Sequence, residues 1–327
     1  VSSKIRISPR NLVPPSSPDL NWRAVTVADL PALVNLANEC HAVDRGLSFL
    51  NEPNNLKERV FPNAEPHASI GAFTTDKQLV AVNAINLTDD KEETRTTIIG
   101  QVKPNYRHKG LGTYLMQWSE EQVQNFFNAR QSSKPFVIRL ATEGLTDVAH
   151  RLYTAYGFEC IDEQLVMQCD LRTSLPECPF PVGVTIANWQ VEIAQQFFQA
   201  YHAAFRERPG FPNPSAEEWI AGYLENENLK SEWSLLTRVG ESPAGFVFGS
   251  IERPGGYIVQ IGVIPQYRKQ GLGAALMIES LKRMQMAGIT TAQLTVNVNN
   301  PEAIRSYERL GYTTVGRRAK YEREYKK

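Results

Sequence analysis

Apolar residues recur along this chain with two different periods, and the change of period marks its elements. In the second half, Val184–Ile186 reads as a strand. Gln190–Phe205 repeats at helical spacing through Ile193, Phe197, Ala200, Tyr201 and Ala204. Arg206–Pro214 is a loop rich in Gly and Pro. Ser215, with Glu217 and Glu218 behind it, is an N-cap with acids in the first turn of a helix to about Leu224. Trp233–Arg238, Gly245–Ile251 and Tyr257–Ile264 read as three strands joined by turns at Gly240–Glu241 and Pro254–Gly256. Gln270–Met286 is a helix ended by Gly288. Thr291–Val298 is a strand, and Pro301 opens a helix to about Leu310. A last pair of strands follows Gly311.

The first half parses alike. Trp22–Val27 is a strand, and Asp29 caps a helix to about His41. Strands follow near Ala68–Phe73, Leu79–Asn86 and Thr96–Val102. Leu111, Tyr114, Leu115 and Trp118 line one face of the next helix. The fold class is mixed α/β (α+β), each half a partly antiparallel, twisted sheet flanked by helices. It is neither an alternating doubly wound order nor an all-β one.

The likeness of the halves extends to the residues. Residues 102–116 read VKPNYRHKGLGTYLM and residues 263–277 read VIPQYRKQGLGAALM, identical at nine of fifteen positions. Each block is followed by A-x3-Y-x3-G-[FY]: Ala149, Tyr153, Gly157 and Phe158 in the first copy, Ala303, Tyr307, Gly311 and Tyr312 in the second. The first copy has extra residues around Gln131–Pro135, a longer loop. Two homologous domains follow, over residues 21–170 and 183–327. An irregular extension over 1–20 precedes them, and a proline-bearing linker over 171–182 joins them.

Composition narrows the function classes. Lys and Arg total 35 against 35 Asp and Glu, so nothing suggests a nucleic-acid partner. No apolar run approaches the ~18 residues of a membrane span, and residues 1–20 lack a signal peptide's apolar stretch. Cys40, Cys160, Cys169 and Cys178 show no metal-type spacing and fit a reduced, cytoplasmic protein, monomer or homodimer.

In each copy a strand runs into V-x-P-x-Y-R-x-x-G-L-G and then into a helix. The backbone amides at that helix start lack intrahelical partners, and the dipole favours an anion there. Gly110, Gly112, Gly271 and Gly273 let a phosphate approach the main chain. Arg107, Lys109, Arg268 and Lys269 add positive charge. The pattern is neither a G-x-x-x-x-G-K-[ST] loop nor a G-x-G-x-x-G fingerprint.

On these blocks, and on Asn300, Ala303, Tyr307, Gly311 and Tyr312, both halves resemble the GNAT superfamily of acyl-CoA N-acyltransferases. The tandem arrangement resembles mycothiol synthase-like double-domain enzymes. The resemblance implies acetyl-CoA (coenzyme A) as donor. It implies a wedge strand whose backbone, at Ile261 and Val263, pairs with the pantetheine arm. The pyrophosphate would rest on Arg268, Lys269, Gln270, Gly271, Leu272, Gly273 and Ala274. The first copy would match with Val102, Arg107, His108, Lys109, Gly110, Leu111, Gly112 and Thr113. Asn300 would bond near the pantetheine, where the first copy has Thr146. Tyr307 would protonate the leaving thiolate, a role its phenol suits against a thiol. Tyr153 is its counterpart.

The general base is unassigned. Where family members place a Glu, this chain has Tyr257 and Thr295 in one copy and Thr96 and Ala141 in the other. Glu252, Glu225, Glu227 and His202 are candidates through water. Phe211 and Trp219, between the first two helices of the second copy, are candidate substrate contacts. The expectation is N-acetyl transfer to a small-molecule primary amine in the C-terminal copy. A protein or peptide acceptor, and a non-catalytic acetyl-CoA-binding sensor, are the alternatives.

Overall fold

The computed structural model describes residues 19–47, 51–62, 67–89, 93–129, 134–208, 210–252 and 255–325. Most of the expected N-terminal extension, the turn residue Pro254 and part of the loop around Gln131–Pro135 lie outside these residues. The chain forms two compact units, residues 1–166 with 315–327, and residues 167–314.

In the first unit, β1 (Leu20–Arg23), β2 (His67–Thr74), β3 (Leu79–Asp89) and β4 (Thr94–Val102) form an antiparallel meander. Then β5 (Phe136–Thr142) lies parallel to β4. The crossover is α3 (Leu111–Ala129), and α4 (Asp147–Ala155) leads to β6 (Glu159–Asp170). Two helices, α1 (Leu30–Asp44) and α2 (Pro53–Val60), cover the other face. β3 is buried on both faces, against Leu33, Leu36 and Val60 on one side and Met116 and Val123 on the other. The Asp29 carboxylate accepts from Thr26 N at 2.9 Å and two Arg23 N–H groups at 2.8 and 2.7 Å, closing the turn before α1 instead of capping the helix with its side chain.

In the second unit, β7 (Val184–Asn188), β8 (Leu235–Val239), β9 (Ser242–Glu252) and β10 (Gly255–Val263) are antiparallel, and β11 (Thr291–Asn297) runs parallel to β10. α5 (Ala194–Phe205) and α6 (Ala216–Leu224) cover one face; α7 (Leu272–Met286) and α8 (Pro301–Arg309) follow the glycine loop and β11. Ser215 is the expected N-cap, and with Glu218 it closes a capping box. The core beneath α5 is aromatic: Trp189, Phe197, Tyr201, Trp219, Phe246 and Phe248 pack together.

The expected pair of strands after Gly311 is one strand, β12 (Tyr312–Glu324). Gly316 is not a turn: a Cβ there would stand 2.5 Å from Gly46 N, so glycine serves a close backbone approach. Residues 319–324 of β12 pair antiparallel with β5, which places the end of the chain in the first unit. Along the sequence alone, residues 315–327 read as part of the C-terminal half.

Candidate active site

In both units a parallel strand pair opens into a wedge. β4 and β5 pair from Thr94/Phe136 to Ile98/Leu140, and β4 then continues to Val102 unpaired on that edge. β10 and β11 pair only at Gly256/Ala292 and Tyr257/Gln293, leaving β10 unpaired on that edge to Val263. An open strand edge offers N–H and C=O groups to an extended ligand arm.

Each wedge strand ends at the glycine loop. His108 and Gly110 have φ of 60° and 83°; Lys269 and Gly271 have 61° and 83°. Two non-glycine residues thus hold left-handed backbone at matching positions, costing ~1–2 kcal/mol each. Strain conserved between the copies signals a shape the site needs. Arg107 N bonds Pro104 O and Tyr114 N bonds Gly110 O, and the amides of residues 108–113 have no backbone acceptor. Arg268 N to Pro265 O and Ala275 N to Gly271 O bracket residues 269–274 in the same way. Gly110 and Gly271 lie on the surface. Both loops therefore present convergent N–H groups at a helix start, the chemistry of an anion cradle.

The two arginine guanidinium groups are turned to other partners. Arg107 Nε donates to Val102 O at 3.0 Å, and its guanidinium grips both oxygens of Asp44 at 2.6 Å. Arg268 Nε donates to Val263 O at 3.0 Å and its guanidinium to Ala204 O at 2.9 Å. They fasten the wedge strand to the end of the first helix. Lys109 lies with its ammonium 4.8 Å from the Tyr106 ring.

Asn300 and Thr146 do the same local work. Asn300 Oδ1 accepts from Ala303 N at 3.3 Å and caps α8; Thr146 Oγ1 accepts from Ala149 N at 3.2 Å and caps α4. The Asn–Thr difference between the copies is thus mostly a change of cap. Tyr307 is half-buried on α8, its ring 6.0 Å from that of Tyr312. Burial raises its phenol pKa and the Arg208 guanidinium opposes that rise. Burial pushes Tyr153 up to about 12, against a hydrogen bond with Thr142.

The wedges differ at β10. Its register with β9 slips between Ile258 and Gln260, so Val259 is a bulge residue; β4 pairs with β3 without a break. The bulge puts adjacent residues on one side. Val259 packs on the aromatic core, and Gln260 Oε1 accepts from Tyr223 OH at 2.9 Å. At the narrow end of this wedge Tyr257 OH and Thr295 Oγ1 are 3.1 Å apart, a neutral pair.

The first unit's wedge opens into a cavity of about 200 Å³. Arg107, His108 and Gly112 of the loop, Tyr153, and His41 and Arg59 of the first two helices all line it. On β3, Asn83 is 2% exposed and donates to Leu115 O at 3.0 Å, yet its Oδ1 has no partner. A Cβ on Gly100 would lie 3.0 Å from that oxygen. The sequence reading missed Asn83, Gly100, Asp44 and Tyr223. A lone Asn in an apolar strand was the available signal for Asn83; nothing local marked the others.

Among the other candidates, Trp219 is a core residue, stacked on Tyr201 at 4.8 Å. Phe211 is half-buried beside Tyr201 and His202. Glu225 and Glu227 are exposed beyond α6. Glu252 accepts from Ser250 and Asn228 at the far end of β9, and burial raises its pKa. Among the described residues no cluster of three His, Cys, Asp or Glu could hold a metal ion, and no helix is long and apolar enough to cross a membrane.

Family models agree with the duplication: the acetyltransferase (GNAT) family matches residues 194–312, and an acetyltransferase (GNAT) domain matches residues 70–160. The chain is a tandem GNAT acetyltransferase. A mycothiol acetyltransferase of Parafrankia sp. is 26% identical over 321 residues, 90% of this chain and 94% of that protein. The Renibacterium salmoninarum protein of the same name is 24% identical over 248 residues, 70% of this chain and 68% of its own. A GCN5-related N-acetyltransferase from Sphaerobacter thermophilus shares the fold with a TM-score of 0.73 at 21% identity, covering 93% of this chain and 95% of its own. A tandem GNAT protein from the clavulanic acid biosynthesis pathway aligns with a TM-score of 0.61 at 14% identity, covering 94% and 98%. In this tandem GNAT acetyltransferase the two wedges and loops are matching parts of two like domains, diverged at the bulge, at the Asn83–Gly100 pair and at the arginine's partner.

Proposed function

We propose that the chain moves the acetyl group of acetyl-CoA to the primary amine of a small molecule, and that the C-terminal copy performs the main transfer. GNAT enzymes generally take acetyl from acetyl-CoA. The observation that carries the reading is the second unit's wedge: a β10 edge unpaired beyond Tyr257, bulged at Val259, running into a loop of unpartnered amides. The residues fit coenzyme A, since the amides of 269–274 suit its pyrophosphate and the free edge of Ile258–Val263 suits its amide-bearing arm.

When bound, acetyl-CoA supplies an activated acyl carbon on a thiol leaving group. The chain's residues do the rest. The β10 backbone past the bulge holds an N–H toward the carbonyl oxygen, where charge develops. Tyr307 holds a proton for the departing sulfur; with its pKa raised it stays protonated through neutral pH. The curated relatives named mycothiol acetyltransferase favour a small-molecule acceptor over a protein one. Release of free CoA across an amine panel, followed with a thiol reagent, tests the reading. Binding of acetyl-CoA with no release from any amine would instead support a sensor.

A further inference from the structure

Each copy carries a histidine at the same register. His41 in the last turn of α1 and His202 in the last turn of α5 stand at equal distance from the wedge valines Val102 and Val263, and each is followed by alanine. Both are half-buried.

In the first unit the cavity runs from the α1/α2 side, at His41, through the wedge to the glycine loop and Tyr153. Donor side and acceptor side thus share one space. Asn83 also lines this cavity, and its buried Oδ1 has no partner among the described residues. The other bases in the lining are engaged. Asp44 gives both oxygens to Arg107. Glu143 pairs with Arg318 at 2.8 Å and lies 3.8 Å from Arg59. Burial pushes the Cys40 thiol up to about 11, and it donates to Val102 O. His108 is exposed on the loop itself. His41 is left. Burial holds its pKa below the ordinary value, with Asp44 and Arg45 as opposing charges on its own segment and Arg59, Glu143 and Arg107 on the facing walls. It is therefore neutral at pH 7, the state a base needs.

We propose that the N-terminal unit is a second acyl-transfer site for a small amine, with His41 as its general base and Tyr153 as its acid. His202 is the matching base of the C-terminal unit. The proposal rests on the reading that the loops hold acyl-CoA. The amine nitrogen bonds to the acyl carbon as the carbon–sulfur bond breaks. The amine proton goes to the imidazole, and the sulfur takes the Tyr153 hydroxyl proton; solvent then restores both groups. In the C-terminal copy His202 is already oriented, since Asn213 Oδ1 accepts from its Nε2–H at 3.1 Å. Asn213 adopts a left-handed φ of 46° to reach it. That bond leaves Nδ1 as the acceptor.

The test silences the C-terminal unit in the full chain with Tyr307→Phe and His202→Gln, then follows CoA release against pH, calorimetric acetyl-CoA stoichiometry and the His41 ring resonance by NMR. The expected result is residual release whose acid limb lies below pH 6.5 and coincides with the His41 titration. Adding His41→Gln, or His41→Asn as a second variant checked for folding, lowers that release at least tenfold and leaves two bound equivalents of acetyl-CoA. Residual release indifferent to both His41 variants overturns the proposal. So does an absence of residual release while two equivalents still bind. If neither unit binds acetyl-CoA, the reading of the loops falls along with it.

Discussion

The two wedges have the same loop geometry to within a few degrees of φ, yet they differ where chemistry would occur. In the first unit the wedge arginine is neutralised by Asp44; in the second it holds only the carbonyls of Val263 and Ala204. A second guanidinium, Arg208, lies 4.1 Å over the Phe205 ring and acts electrostatically on both Arg268 and Tyr307. Arg208, with no carboxylate partner among the described residues, favours a developing negative charge near Tyr307. β10 carries a bulge; β4 does not. Conversely, the first unit pairs Asn83 with Gly100 and lines a cavity, where the facing residues Val247 and Ile261 of the second unit are apolar. The difference teaches that the glycine loop kept its backbone through duplication while the arginine's partner, the strand register and the residues facing across the wedge strand diverged.

The sharpest way to break this comparison is a pair of tyrosine variants. Tyr307→Phe is expected to lower total CoA release ~10²-fold, and Tyr153→Phe to lower it less than twofold, with steady-state assays as the measure. Equal losses would mean the copies share the work. Gly100→Ile next copies the second unit into the first. Its Cβ would press on Asn83 Oδ1 and its side chain would enter the cavity. Release remaining in a Tyr307→Phe background should then fall as the cavity fills, with turnover retained where Tyr307 is intact.

Asp44→Ala removes a bidentate, mostly buried partner of Arg107 and is expected to cost about 2 kcal/mol in denaturant unfolding. No acid occupies the corresponding place in the second unit, so Phe205 is untouched by such a test. Ser215→Ala removes the capping box of α6, at about 1 kcal/mol. The smallest effect concerns Asp29, whose carboxyl is held well below its usual range by Arg23. Its folded pKa is depressed, so its stabilisation is present above about pH 4 and is lost as acid protonates it. The pair is partly exposed, so the loss should stay under about 1 kcal/mol in a Tm–pH series.

Much of this was legible along the chain because it is local. Period-2 and period-3.6 patterns located the strands and helices, Ser215 and Pro301 announced their helix starts, and the repeated V-x-P-x-Y-R-x-x-G-L-G gave the duplication and the loop. These depend on residues within a turn or two of one another. Even the tyrosine of A-x3-Y-x3-G-[FY] could be picked out, since its spacing is fixed by one helix.

What only the tertiary structure decided depends on residues distant in sequence. That Arg107 and Arg268 fasten a strand instead of a phosphate follows from Asp44 and Ala204, more than sixty positions away. That Trp219 is core follows from Tyr201 across two helices. The last strand reads locally as part of the C-terminal half, but its hydrogen bonds go to β5 in the first unit. A chain's pattern states which face of an element is apolar; which partner meets that face, and which buried polar atom such as Asn83 Oδ1 is left without a partner, is set only when distant segments pack.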